Sequence, residues 1–352
     1  MQERAEAAVI TAGAVLAALA LFALFLLANG RDPLAVYAVL WLGGFGTSFS
    51  LQATLTQAAP LMLTALCTAI PARAGLLVIG GEGALVAGGV FAVLAGVATA
   101  GLAPAGMPAS VGTVAICVAG AFAGAAWIAM AGALKHLRGV NETISTLLLN
   151  YIAIAVLNHL VSGPMRDPAV SLKATSWAIP QATMVGNIPG LGVHWGFAFG
   201  VVACLLCFAL LKYTVFGFAV GVLGGNARAA QLVGLPIGRL TLVACAIGGG
   251  AAGLAGAAEI IAVHGAASSS LAVGFGYGGI LVAFLARQNP LAIIFFAILV
   301  GGISASGGLM QRRFDLPDAA TQVLQGMIFL CVLASNAFYG RFRVFQPRTA
   351  VA

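Results

Sequence analysis

In the stretch GLLVIGGEGALVAGG, Gly75 to Gly89, Glu82 stands among Gly80, Gly81 and Gly83 inside an otherwise apolar run. A carboxylate in such a place can accept hydrogen bonds from a ligand's hydroxyl or amino groups, or from the backbone of an interrupted helix. A second glycine-broken stretch, Gly274-Phe275-Gly276-Tyr277-Gly278-Gly279, can likewise open a helical turn and expose N–H and C=O groups that need partners. For both stretches the competing reading is close helix packing through small residues. Other patterns carry less chemistry. Cys204 and Cys207 form a CxxC, but all six cysteines fall in apolar runs with no βαβ context, so they read as small packing residues rather than redox or zinc ligands. Gly274, Gly276 and Gly279 satisfy GxGxxG without the preceding strand a dinucleotide fold requires. The three lysines, Lys135, Lys173 and Lys212, each follow a leucine, whereas a P-loop needs glycine there. The chain therefore has no route to ATP hydrolysis by that loop, and nothing in it calls for a cofactor or a metal.

The elements that must position Glu82 follow from composition. Of 352 residues, 61% are hydrophobic and 7% charged, against roughly a quarter charged in soluble domains. Apolar runs near the ~20 residues that cross hydrocarbon recur throughout, and the weak alternation of barrel strands is absent. The expected fold is thus all-α and polytopic, with about ten spans near 8–28, 51–70, 76–99, 111–134, 144–161, 195–211, 240–263, 271–286, 291–308 and 319–337. The first run competes with a signal peptide, but Glu3 and Glu6 surround Arg4 and no small-residue cleavage site follows, so an uncleaved helix is expected. With both termini inside, Arg4, Arg73, Lys135, Arg138, Lys212, Arg228, Arg239, Arg287, Arg341, Arg343 and Arg348 face the cytoplasm. Arg31, Arg166, Lys173, Arg312 and Arg313 are left outside. The net charge of +7 is mostly this inward bias spread over separate loops, and nucleic-acid binding is not implied.

Counting helical rise from Arg73 at the cytoplasmic edge puts Glu82 about 13 Å inward, near the middle of the bilayer. On the seventh span, Gly249, Gly253 and Gly256 read as a packing face. Glu259 approaches the outer mouth and His264 the outer loop, neither with an identifiable partner. Asn141-Glu142-Thr143 spells a glycosylation sequon on the expected cytoplasmic side. An N-cap with a favourable first-turn acid explains Asn141 and Glu142; direct ligand contact is the alternative. Segment 212–239, KYTVFGFAVGVLGGNARAAQLVGLPIGR, is too polar at its centre to span. Gly224-Gly225-Asn226 offers a cap, and 227–232 reads as a short helix stopped by Gly234 and Pro236, suited to docking a partner or to lying as a turn on the membrane surface. Few acids lie within spans, which favours a partner polypeptide over an ion gradient as energy source.

GGNARAAQLVGL resembles the G-x-N-x-x-A-A-x-x-x-G loop of ATP-binding-cassette importer permeases of the branched-chain amino acid, ribose and nucleoside superfamily. The matched positions are Gly224, Asn226, Ala229, Ala230 and Gly234, with Arg228 between them. GLLVIGGEGALVAGG resembles the nucleoside-type pattern G-L-F-N-I-G-x-E-G-Q, and NETISTLLLNYIA its N-E-x-I-S-T-L-M-L-N-Y-I-A; Gly253–Glu259 and Gly274–Pro290 fit its later helices. Two departures stand out, Val78 for the family asparagine and Ala84 for the family glutamine, which puts in doubt how polar or how large the ligand is. The resemblance implies one permease domain over 1–352: a peripheral first helix (8–28), a first half (51–161), a linking helix (195–211), a coupling loop (212–239) seated on the ATPase, and an inversely related second half (240–337). It implies a pathway near Gly80, Gly81, Glu82, Gly83, Asn141, Glu142, Gly274, Gly276 and Tyr277, carrying nucleosides or related nucleobases and sugars across a bacterial inner membrane without covalent chemistry. The partners it implies are a second permease, often a paralogue, a cytoplasmic ATPase, an external binding protein or lipoprotein, and membrane lipid. A ribose-type or branched-chain amino acid permease, or a self-sufficient carrier or channel, are the alternatives.

Overall fold

A chain that lies in hydrocarbon must satisfy its backbone within each segment, and helices do so. The computed structural model describes residues 2–102, 109–170 and 173–335. In chain order its α-helices are α1 (Gln2–Ala28), α2 (Pro33–Phe45), α3 (Ser48–Arg73), α4 (Gly81–Leu102), α5 (Ala109–Arg138), α6 (Glu142–Ser162), α7 (Gly196–Tyr213), α8 (Val215–Gly225), α9 (Ala227–Leu232), α10 (Ile237–Glu259), α11 (Phe275–Leu285), α12 (Pro290–Phe314) and α13 (Ala319–Ser335). Among the described residues there is no named strand, and eight helices are long and apolar enough to cross a membrane. Eight of the ten predicted runs fall on those helices. The runs at 271–286 and 319–337 fall on the shorter apolar helices Ser269–Leu285 and Ala319–Ser335. Residues 336 and 337, with Arg341, Arg343 and Arg348, lie outside the described residues.

Two helices were not expected. The 13 residues of α2 are too few for a span; Asp32 caps the helix by accepting from the Leu34 N–H, and Pro33 starts it. The 11 residues of α8 follow Thr214, whose hydroxyl accepts from Gly217 N–H.

The chain forms two compact units, one from its two ends, up to Thr54 and from Gly302, the other from Leu55 to Gly301. In the unit of the ends, the Tyr37 hydroxyl donates to Leu19 O, and Gly43 and Gly44 lie against Ser306 and Gly302. In the middle unit α4, α5 and α10 meet through glycines. A Cβ on Gly253 would strike the Gly120 carbonyl, one on Gly124 the Gly249 carbonyl, and one on Gly256 the Leu85 carbonyl. Small residues let backbones approach this closely, which is where helix association in lipid finds its dispersion energy. The packing face read from Gly249, Gly253 and Gly256 is therefore present.

At its C-terminal end α10 widens into a π-helical turn, Ile260–His264, closed by left-handed Gly265 (φ 66). The long connection after α6 uses the carbonyls freed there: Val185 N–H donates to Ile261 O and Ile179 N–H to Gly265 O. Glu259 and His264 are each other's neighbours, with Oε2 3.7 Å from Nδ1, a pairing the sequence did not reveal.

Two predicted spans are interrupted. Run 76–99 becomes helical only at Gly81, and residues 76–79 are extended. Run 271–286 begins with a 3-10 turn, Ser269–Leu271, and starts its α-helix at Phe275 after left-handed Gly274 (φ 97). The depth estimate from Arg73 assumed unbroken helix and does not hold, because extended residues advance about 3.3 Å each rather than about 1.5 Å.

Candidate functional site

An extended segment inside a helical membrane chain must find partners for every exposed N–H and C=O. Helix α6 supplies them. Residues four apart on a helix share a face, and Glu142, Thr146 and Asn150 make such a row, with Thr143 beside it. Glu142 Oε1 accepts from Leu77 N–H (3.4 Å), and Thr143 Oγ1 donates to Leu77 O (2.9 Å). Thr146 Oγ1 accepts from Ile79 N–H (3.2 Å), and Asn150 Nδ2 donates to Ile79 O (2.9 Å). Asn150 Oδ1 then accepts from Gly83 N–H (2.7 Å), capping the first turn of α4. From the other side Thr68 Oγ1 donates to Val78 O (3.2 Å). Side chains of one helix thus stand in for a neighbouring strand.

Glu82, in the first turn of α4, is 1% exposed. Its Oε1 accepts from Gly274 N–H (2.8 Å) and its Oε2 from Gly276 N–H (2.5 Å). One carboxylate therefore sits at the N-terminal ends of two helices, where both dipoles favour negative charge. Gly276 has no room for a side chain, because a Cβ would strike the Glu82 backbone. Thr64 Oγ1 fixes the same start by donating to Phe275 O (2.9 Å). The structure brings together Gly80, Gly81, Glu82, Gly83, Gly274 and Gly276, with Tyr277 beside Asn150. Asn141 and Glu142 stand apart from this cluster at the far end of the extended segment. Asn141 Oδ1 caps α6 through Thr143 and Ile144 N–H, and Glu142 pairs with Lys135 at 2.9 Å.

The second predicted constellation lies between α8 and α10. Asn226 Oδ1 accepts from Arg228 and Ala229 N–H (2.9 and 3.1 Å), starting α9. Gly234 (φ 79) ends it, with Leu235 N–H returning to Ala230 O. Gly224 lies against the Arg73 carbonyl and Gly75, so this loop touches the turn from which the extended segment departs. Ala230 is fully buried within this chain, while Leu232 and Val233 are 90% and 76% exposed. A partner meeting α9 would therefore touch Leu232, Val233 and Arg228 rather than Ala230.

Comparison with known proteins places this architecture. A family model described as the permease component of branched-chain amino acid transport systems matches residues 50–333. The chain belongs to that permease family. The glucose ABC transporter permease protein TsgB13 of Haloferax volcanii is 32% identical over 344 residues, covering 94% of this chain and 88% of the relative. The guanosine ABC transporter permease protein NupP of Bacillus subtilis is 29% identical, covering 92% of each. NupQ of the same organism is 24% identical, covering 84% of this chain and 93% of the relative.

This permease is thus a multi-pass transport subunit of an ABC system. The two residues in which its motif departs from the nucleoside-type pattern, Val78 and Ala84, are 1% and 0% exposed and face packed protein. Sequence reading missed Thr64, Thr146 and Asn150 as individual residues. The signal for two of them was present in NETISTLLLN, where polar residues recur every fourth position in an apolar run. Leu232 and Val233 carried no signal, since an exposed apolar pair reads like any other apolar pair.

Proposed function

We propose that this permease forms the path of an ATP-driven importer for nucleosides or related nucleobases and sugars in a bacterial cytoplasmic membrane. In this reading ten spans form two inversely related halves with both termini inside. A second permease chain completes the path, a separate ATPase seats on the α8–α9 segment, and an external binding protein delivers the ligand. The observation that carries it is the pair of helix starts, those of α4 and α11, joined through Glu82. Glu82 is the second residue of α4 and Gly276 the second of α11, corresponding places in the two inferred halves. Interrupted helices whose N-termini converge are the usual site architecture of repeat-built transporters. The names of the guanosine relatives NupP and NupQ support the ligand class, and their presence in one organism supports a paralogous second permease. The glucose relative is the observation that favours a sugar instead.

Reconstituted uptake should require the ATPase and cease when the lysine of its P-loop is replaced, because no lysine of this chain follows a glycine. Concentrative uptake by this chain alone, driven by a proton or sodium gradient, would overturn the importer reading. Cysteine placed at Leu232 should crosslink to the ATPase, whereas cysteine at Ala230 should not, given their opposite exposure. Crosslinking from Ala230 but not Leu232 would remove the α9 surface from the contact.

A further inference from the structure

Both helix starts that meet at Glu82 lead back to one residue, Arg73, the last of α3. One arm is the main chain itself. From Arg73 it turns through left-handed Gly75 (φ 77), runs extended over 76–79 and reaches Glu82 in the first turn of α4. That turn is tied to the end of α3, with Gly75 N–H donating to Ala72 O and Leu76 N–H to Pro71 O. The other arm is α11. Its start donates to Glu82, and its 11 residues extend about 16 Å toward a turn in which Gln288 O accepts from Arg73 Nη2 (3.5 Å). The guanidinium thereby stands near the C-terminal end of α11, where the helix dipole favours a cation. The two arms share both of their junctions, Glu82 and Arg73, and so close a ring.

The Arg73 end of the ring is strained. Arg287 and Gln288 are consecutive left-handed residues (φ 51 and 58), a conformation that side chains other than glycine adopt at a cost and keep only where the surroundings fix it. Arg287 N–H donates back to Phe284 O (3.0 Å) and Gln288 N–H to Ala283 O (2.9 Å). The bond from Arg73 adds a hold from outside the turn. The same residue receives α8. A Cβ on Gly224 would strike the Arg73 carbonyl, and one on Gly75 would meet Gly224 Cα at 3.4 Å. Main chain packed on main chain cannot yield by rotating a side chain, so a displacement of the α8–α9 segment is felt at Arg73. A cleft of about 390 Å³ beside this contact, lined by Gly75, Lys135, Gly225 and Asn226 among others, leaves the segment room to move.

We propose that Arg73 is the positioning residue through which the ATPase seat acts on both helix starts together. Its carbonyl receives the α8–α9 segment, its main chain leads to α4, and its guanidinium holds α11. The proposal rests on the importer reading. The test uses the assembled importer in proteoliposomes, with its second permease, ATPase and binding protein. In the wild type, ATP with vanadate should change amide hydrogen exchange in 76–83 and in 274–279 together. In Arg73→Ala, which keeps the carbonyl and the chain, only 76–83 should still respond. Uptake of radiolabelled guanosine or glucose per ATP hydrolysed should fall about tenfold in this variant, with hydrolysis itself within about twofold of wild type. Arg73→Lys, which keeps a charged donor, should recover part of the loss. Gln288→Gly suits the left-handed backbone and keeps the acceptor carbonyl while softening the turn. It should uncouple as Arg73→Ala does without lowering the unfolding temperature, and it carries the test if Arg73→Ala does not assemble. The exchange measurement reads whether or not either probe is carried. A wild-type response of 274–279 in Arg73→Ala overturns the proposal, as does its absence from the wild type. So do uptake and hydrolysis that fall in parallel in both variants, which would make the contact structural only. Wild-type uptake that persists without ATP would instead refute the importer reading, whatever the variants do.

Discussion

Glu82→Ala should abolish uptake and lower the thermal stability of the purified permease more than any other single side-chain truncation near the starts of α4 and α11. The carboxylate is buried and accepts N–H groups from Gly274 and Gly276. Hydrogen bonds to a charged acceptor contribute about 1.5–3 kcal/mol each, and truncation also strands both donors. The combined cost is on the order of 3 to 5 kcal/mol, with the start of α11 released from α4. Glu82→Gln should fall between the two, because its amide can accept one N–H but turns its own donor toward the other. The two measurements are the unfolding temperature in detergent and ATP-dependent uptake in proteoliposomes. Wild-type values of both for Glu82→Ala would mean that α11 is held in place by its packing alone.

The second large effect is expected in the glycine contact of α4, α5 and α10. Gly253→Ala puts a methyl group into the Gly120 carbonyl, and backbone cannot rotate aside as a side chain can. Overpacking of this kind costs typically 1–3 kcal/mol, and more where the obstacle is main chain. Gly250→Ala, three residues away on the same helix, is the control. Its added methyl finds the Ala121 carbonyl at 3.4 Å and the Ala125 Cβ at 3.6 Å, ordinary contacts. Since alanine is the better helix former by roughly 1 kcal/mol, Gly250→Ala should be neutral or stabilising. The two substitutions should therefore move the unfolding temperature in opposite directions. Equal shifts would show that the helices part by the width of a methyl group without cost.

How much of this could be read from residues alone follows from where the causes lie. The helical membrane class rests on composition, a property of the whole chain, and the packing of Gly249, Gly253 and Gly256 rests on local spacing. Both were legible. The extended residues 76–79 were not, because nothing within them forbids a helix. What holds them open is a row of side chains on α6, more than sixty positions later. Helix α2 escaped because the scale of reading was the full span. At α9 the cap was visible in Asn226, but which of Ala230 and Leu232 faces outward depends on how the loop folds back on the chain. The role of Glu82 was legible only as a pair of alternatives, and the geometry places both of its oxygens on backbone.

The distance in sequence between that carboxylate and its donors bears on biosynthesis. Glu82 leaves the ribosome 192 and 194 residues before Gly274 and Gly276, and Gly83 67 residues before Asn150. At roughly 5–20 residues per second the wait for α11 is about 10–40 s. During that interval the groups that hold residues 76–79 open arrive first with α6, and those that donate to the acid come only later. Until those helices are made, the run is an apolar segment bearing a single acid, and the contacts that fix its break are all supplied by helices that follow.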